Sequence, residues 1–254
     1  MKISIITVCR NSAAVIEGAI RSVLAQTHKD IEYIVVDGAS TDGTVQLVRS
    51  FSDRLAKLVS EPDAGIYDAM NKGIGLATGD IVGILNSDDL YADDNVLARV
   101  AAVFEKPEVD VCYGDLVYVS PANIDKPVRV WKSSPYKSGS FLSGWVPPHP
   151  TFFVRRQVYE KYGRLDLSFP LAADFELMLR FLHCLGLKSS YIPETLVKMR
   201  LGGASNKSFA NMFQQNMEIY RAGRKNGVNL GAQYYFGKFY DRFKQYARAT
   251  MLRR

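Results

Sequence analysis

The sequence predicts an α/β fold with a mostly parallel central sheet flanked by helices. Three observations predict it. Short apolar, β-branched runs alternate with amphipathic segments along the first 110 residues, which is the pattern of βαβ units. The runs are apolar almost throughout, as strands covered on both faces are. Glycine, asparagine and aspartate punctuate their ends, where turns are wanted. Composition agrees. Of 254 residues, 47% are hydrophobic and 23% charged, which excludes a disordered chain, a collagen or a coiled coil.

Taken in order, Ile3–Val8 reads as a buried strand. Ser12 stands where a helix cap is wanted, ahead of Val15, Ile16, Ala19, Ile20, Val23 and Leu24 at helical spacing. Ile31–Val36 is a second strand, and Asp42 opens a helix to about Ser50. Leu55–Ser60 is a third strand, Ile66–Leu76 a helix and Asp80–Leu85 a fourth strand. Asp93 or Asp94 starts a helix that ends before Pro107. The second half is less regular. Val109–Val119 reads as a strand, followed by a Pro- and Ser-containing stretch to about Pro150. Thr151–Val154 is a short strand, Asp174–Leu185 a helix and Ser189–Met199 a strand. Leu201–Lys207, with Gly202-Gly203, reads as a mobile loop. Phe209, Met212, Phe213, Met217 and Tyr220 then mark an amphipathic helix.

No apolar stretch approaches the roughly 18 residues of a membrane span. The N-terminal apolar run is too short for a signal peptide, so a cytoplasmic chain is expected. Cys9, Cys112 and Cys184 stand in unrelated contexts and read as buried free thiols. Charge is unevenly placed. Residues 1–206 hold 22 Lys and Arg against 24 Asp and Glu, whereas residues 207–254 hold 10 against 2. The positive charge therefore lies in the tail, not over a nucleic-acid-binding face.

In parallel sheets, ligands gather beyond the carboxyl ends of the strands. The polar groups there are Cys9-Arg10-Asn11, Asp37-Gly38, Glu61-Pro62-Asp63 and Asn86-Ser87-Asp88-Asp89. Adjacent carboxylates such as Asp88 and Asp89 repel unless a cation or donors lie between them. Mg²⁺ or Mn²⁺ suits that need and is usually shared with phosphate oxygens; a turn with a helix cap is the plainer reading. Asp37 is placed to accept from a nucleobase or ribose, with Gly38 allowing close backbone approach. Asp63 is a second candidate for the base, and Lys72 has the reach for a diphosphate. Gly73, Gly75 and Gly79 miss the dinucleotide fingerprint, because they precede their strand.

Together these segments resemble the family 2 glycosyltransferases, which have the GT-A fold. Ile5–Asn11, Val36–Thr44, Ser60–Gly79 and Asn86–Asp89 carry the resemblance over about residues 1–205. The Glu61–Gly73 block is most similar to the bacterial colanic-acid, exopolysaccharide and lipopolysaccharide transferases. The resemblance implies a GT-A domain at 1–206 and a basic, amphipathic helical tail at 207–254. Within the domain, about 1–110 would form the nucleotide-sugar half and 111–206 the acceptor half. It places Thr7, Asn11, Asp37 and Asp63 near the nucleoside and Lys72 towards the diphosphate. Asp88 falls nearer the ribose and Asp89 on a divalent metal, Mn²⁺ or Mg²⁺. Asn86 replaces the first acid of a strict D-x-D motif.

The family's base matches Asp174, with Glu176 as runner-up. His149 and Arg200 match positions that contact acceptor or phosphates, and Leu201–Asn206 matches a segment that closes over the donor. The implied reaction is an inverting transfer from a nucleotide diphosphate-sugar, most often a UDP-sugar in the family. The acceptor would be a hydroxyl of a polyprenyl-diphosphate-linked or other glycan. In the tail, Tyr235, Phe236, Phe239, Tyr240, Phe243 and Tyr246 form a helical stripe among Lys238, Arg242, Lys244, Arg248, Arg253 and Arg254. That pattern suits an anionic membrane, here the cytoplasmic face of the inner membrane. Packing on the core or on another copy is the open alternative. A sugar-1-phosphate nucleotidyltransferase would carry a glycine-rich loop where Thr7–Asn11 has none. A non-catalytic nucleotide-sugar-binding homologue fits poorly with the presence of Asp37, Asp88, Asp89 and Asp174.

Overall fold

The computed structural model describes residues 1–202 and 209–251. Most of the loop expected over 201–207, the 206/207 boundary, Arg253 and Arg254 lie outside the described residues, as does the side chain of Phe209. The expected elements of the first half form. Strands β1 (Ile3–Cys9), β2 (Ile31–Asp37), β3 (Lys57–Ser60) and β4 (Ile81–Ile84) alternate with helices α1 (Ile16–Leu24), α2 (Thr44–Arg49) and α3 (Ile66–Leu76). A short strand β5 (Asp89–Tyr91) then leads to α4 (Val96–Phe104). The second half comprises β6 (Val111–Ser120), β7 (Asn123–Trp131), β8 (Phe153–Arg155), α5 (Arg156–Tyr162), α6 (Ala173–Met178) and β9 (Ser189–Arg200). Helices α7 (Phe209–Lys225) and α8 (Ala232–Met251) follow.

One sheet carries all nine strands, in the order β3-β2-β1-β4-β8-β6-β9-β5, with β7 paired to β6 off that path. Parallel pairing joins β3, β2, β1 and β4, and recurs between β6 and β9. The remaining pairs are antiparallel. The parallel character thus belongs to the first half, and β8 turns the sheet over into a mixed second half. Side chains alternate between two cores along β1. Ile6 and Val8 enter one core, with α3, α5, α6 and α7, while Ile3, Ile5 and Cys9 enter the other, with α1 and α4. This double burial is why the first-half strands read as unbroken apolar runs.

Several boundaries differ from expectation. Ser12 donates no side-chain cap to α1; its carbonyl instead accepts from Val15 and Ile16. Asp42 sits two residues ahead of α2 and accepts from Thr44 N and from Ala13 N across the gap. The helix expected over 174–185 is α6, followed by a π-helical segment at Leu179–Cys184. Cys184, at the end of that segment, is exposed where a buried thiol was expected, whereas Cys9 and Cys112 are buried free thiols.

The basic tail is docked rather than separate. Helix α8 lies on β7 and on the short turn Ser140–Ser143. A Cβ at Gly237 would overlap the Ser143 carbonyl, and one at Gly144 would overlap the α8 backbone. Arg129 locks the far end. Its guanidinium lies 3.6 Å from the Tyr118 ring centroid, with Trp131 and Tyr246 at 5.9 and 5.8 Å.

At the strand ends opposite the predicted site, the buried Glu32 carboxylate accepts from Ser4 Oγ, Thr78 N, Thr78 Oγ1 and Lys2 Nζ. Burial alone would raise its pKa, but the bonds from Ser4, Thr78 and Lys2 outweigh that and hold it down at about 2. A carboxyl depressed on folding stabilises the protein above its unfolded pKa and loses that effect as pH falls towards the folded value. Glu32→Gln is expected to cost about 2 kcal/mol in urea unfolding at pH 7, with the gap to wild type narrowing between pH 4.5 and 2.

Candidate active site

The strand-end residues converge as the sequence required. Asp37 ends β2 beside Cys9, with which it pairs in register, and Gly38 N donates to the Cys9 carbonyl. The Asp37 side chain is fully buried. Its oxygens accept from Ser40 Oγ, from Ser40 N at 2.9 Å, from Ser60 Oγ at 2.8 Å and from the Cys9 thiol at 3.5 Å. Burial raises its pKa, yet the bonds from Ser40 and Ser60 carry it below the usual carboxylate value. Asp37 is therefore an ionised tie between the ends of β1, β2 and β3.

Asn11 accepts from Thr41 N at its Oδ1, and its own N donates to Ser40 Oγ. Asn11 and Ala39 are the non-glycine residues of the described chain with positive φ, at 50° and 56°. Strain of that kind persists where the surroundings over-determine it. Asp63 lies directly across Gly38, where a Cβ would overlap its carboxylate. Asn11, Asp37 and Asp63 thus share one rim. Thr7 does not reach it, because its fully buried hydroxyl hydrogen-bonds with Tyr33 at 3.0 Å inside the sheet. Thr7, expected near the nucleoside, thus turns its side chain onto the α1 side of β1. Lys72 ties α3 to the preceding loop, donating to the Pro62 carbonyl at 2.8 Å and pairing with Glu61 at 2.9 Å and Asp68 at 3.6 Å.

Beyond β4, Asp89 begins β5 and is fully buried, while Asp88 is half-buried at the opening. Asn86 Nδ2 donates to Asp89 Oδ2 at 3.1 Å. Asn86 Oδ1 and Asp89 Oδ1 are buried acceptors without a partner. Burial raises both aspartate pKa values, and the charge of Asp88 raises that of Asp89 further; Arg200, at the end of β9, opposes both shifts. Orphaned buried oxygens beside paired carboxylates fit a cation. Among the described residues no group of three or more His, Cys, Asp or Glu forms a closed metal cage. An ion here would take one or two carboxylates and complete its shell with ligand phosphates. Ser12 and Ser87 hydroxyls, 3.0 Å apart, join this acidic turn to the Asn11 loop.

Asp174 lies in the first turn of α6. Its Oδ1 accepts from the Tyr67 hydroxyl of α3 at 3.0 Å and from Phe175 N at 2.8 Å. Tyr67 reads from sequence as a packing residue, and nothing in its helical spacing marks it as a donor to the other half. Half-buried His149, Tyr234 and Lys238 all feel the Asp174 charge; burial lowers the His149 pKa, against that charge. Glu176 is removed as a base. It is buried in an ion pair with Arg180 at 2.9 Å and accepts from Asn226. The structure thus brings Asn11, Asp37, Asp63, Asp88 and Asp89 to the strand ends, and Tyr67 links that rim to Asp174.

Comparison with known proteins accords with this geometry. The family profile described as Glycosyl transferase family 2 matches residues 4–163. An uncharacterised glycosyltransferase of Mycobacterium tuberculosis is 36% identical over 184 residues, covering 70% of this chain and 68% of that protein. A PGL/p-HBAD biosynthesis glycosyltransferase of Mycobacterium bovis is 32% identical over 208 residues, covering 80% and 78%. Among solved structures, S. aureus TarS 1-349 in complex with UDP aligns with a TM-score of 0.67 at 18% identity, over 92% of this chain and 68% of that one. The mannosyltransferase PcManGT of Pyrobaculum calidifontis, in complex with GDP-Man and Mn²⁺, aligns with a TM-score of 0.66 at 21% identity, over 98% and 73%.

The raised pKa of Asp88 has a testable consequence. A carboxyl raised on folding is a net cost when ionised, and that cost grows as pH rises through the shifted value. Without added metal, Asp88→Asn is expected to melt about 2–4 °C above wild type at pH 7.5, the equivalent of roughly 1 kcal/mol in a chain of this size. Addition of Mn²⁺ with UDP is expected to raise the wild-type melting temperature and leave the variant's in place.

Proposed function

The chain belongs to the family 2 glycosyltransferases and has their GT-A fold, and on that premise we propose an inverting transfer from a nucleotide diphosphate-sugar to a hydroxyl of a lipid-linked glycan. The observation that carries the proposal is the bond from Tyr67 to Asp174. It fixes Oδ1 of a half-buried carboxylate at the junction of the two halves. Oδ2 takes no hydrogen bond among the described residues, and so is open to an acceptor hydroxyl. That proton passes to Asp174 Oδ2 as the acceptor oxygen bonds to the anomeric carbon. The bond from that carbon to the diphosphate oxygen breaks on the opposite side, which inverts the centre.

Asn11 and Asp63 are placed to hold the nucleoside, and Asp37 keeps the strand ends beneath it in register. The unpaired oxygen of Asp89 would hold Mn²⁺ or Mg²⁺, with Asp88 at the opening nearer the ribose. The ion would offset the charge that develops on the departing diphosphate. Arg200, whose charge acts on both aspartates, would face that charge too, with Lys72 and His149 as the further cationic or donor groups offered to the phosphates or acceptor. Complexes of structural neighbours with UDP, UDP-GlcNAc and GDP-Man support a donor of this class.

No helix among the described residues is long and apolar enough to cross a membrane. Helix α8 nevertheless turns Phe236 and Phe239, each 75% exposed, and Phe243, 67% exposed, away from the protein. With the exposed Lys244 beside them, they suit the surface of an anionic bilayer.

Two experiments check this reading. A panel of UDP- and GDP-sugars with Mn²⁺ should reveal one donor that is turned over, and Asp174→Asn should lower that rate by about 10²–10⁴-fold while UDP still binds. Wild-type turnover by the variant would remove Asp174 as the base. In the second, the protein should sediment with phosphatidylglycerol vesicles, and Phe239→Ser with Phe243→Ser should leave most of it in the supernatant.

A further inference from the structure

We propose that Lys238, on the inner face of α8, and Arg242, one turn on and exposed at its edge, form an anion site beside Asp174 that recognises the acceptor through a phosphate. The placement as an acceptor site rests on reading Asp174 as the base. The site is fixed by backbone packing. Gly237 touches the Ser143 carbonyl and the Lys238 N lies against Gly144, so α8 cannot slide without losing that contact. Lys238 is consequently no outward-swinging surface lysine. Its Nζ donates to Asn216 Oδ1 of α7 at 3.1 Å and lies 5.9 Å from the ring centroid of the buried Tyr234.

What Lys238 lacks is an acid. Among the described residues no carboxylate comes within ion-pair distance of Lys238 or Arg242. The charged groups acting on Lys238 are Arg242, which repels it, and Asp174, which offsets the repulsion only in part. Burial, then Arg242, pushes the ammonium down to about 8. A half-buried ammonium beside a second cation is costly unless an anion completes it. Two cations at this spacing match a doubly charged phosphate better than a single carboxylate. The source follows from the helix itself. Its opposite face carries Phe236, Phe239 and Phe243, and a helix is only about 10 Å across. A phosphate at Lys238 would therefore sit at the depth of a lipid headgroup.

The test is calorimetric titration of the full chain, held in saturating UDP, with farnesyl diphosphate as the lipid probe and inorganic pyrophosphate as the free one. Lys238→Gln and, separately, the exposed and fold-neutral Arg242→Gln should each raise the farnesyl diphosphate Kd at least tenfold. Lys238→Arg should stay within about threefold of wild type. Asp174→Asn, which removes the neighbouring negative charge, should tighten binding. Pyrophosphate binding with the same dependence would show that the phosphate alone is read; much weaker pyrophosphate binding would show that the lipid contributes. Failure of wild type to bind either probe, or indifference of farnesyl diphosphate binding to both Gln variants, overturns the proposal. An active Asp174→Asn enzyme that still bound the probe through Lys238 would instead remove the base assignment and leave the anion site standing.

Discussion

Two carboxylates are wholly buried at this rim, Asp37 at the end of β2 and Asp89 at the start of β5, and the difference in how they are satisfied orders the site. Asp37 is saturated by Ser40, Ser60 and Cys9 and stays ionised. Asp89 receives one bond from Asn86, keeps one oxygen bare and is pushed towards its neutral form. Asp37 is carried down by its donors, whereas deeper burial and the Asp88 charge carry Asp89 up. The saturated acid holds three strand ends together and presents a fixed floor. The unsaturated one stores an unmet demand for positive charge at the lip of that floor.

The first half of the fold was legible because its physics is local. Strands buried on both faces must be apolar along their whole length, so Ile3–Val8 and Ile31–Val36 are visible without any partner. The second half obeys non-local rules. Strand β7 runs Asn123-Ile124-Asp125-Lys126-Pro127 at its start, a polar edge segment with no alternation to read, and only pairing with β6 makes it a strand. Strand β5 is three residues long, too short for any period. The π-helical segment after α6 leaves no mark in a pattern tuned to ordinary helices.

The site shows the same division. Asn11, Asp37, Asp63, Asp88 and Asp89 could be gathered from sequence because strand ends in such sheets point one way. Facing is the part that sequence position alone leaves open. Thr7 sits one residue from Val8, yet alternation sends it to the opposite core and to Tyr33. Glu176 is two residues from Asp174, and the helix turns it into Arg180. Tyr67 escaped notice because its partner is 107 positions away in sequence. The tail was legible as an amphipathic helix. Its docking was not, since the contact that fixes it is made by two glycines, Gly144 and Gly237, whose packing has no signature in hydropathy.

That glycine pair binds the fates of two distant segments. With backbone against backbone at Gly144 and Gly237, neither the 139–144 turn nor the last helix has slack to accept a new side chain alone. Among descendants of this chain the two positions should drift in concert or not at all. Remodelling of the turn would then carry the last helix along with it, and with that helix the outward-turned Phe236, Phe239 and Phe243.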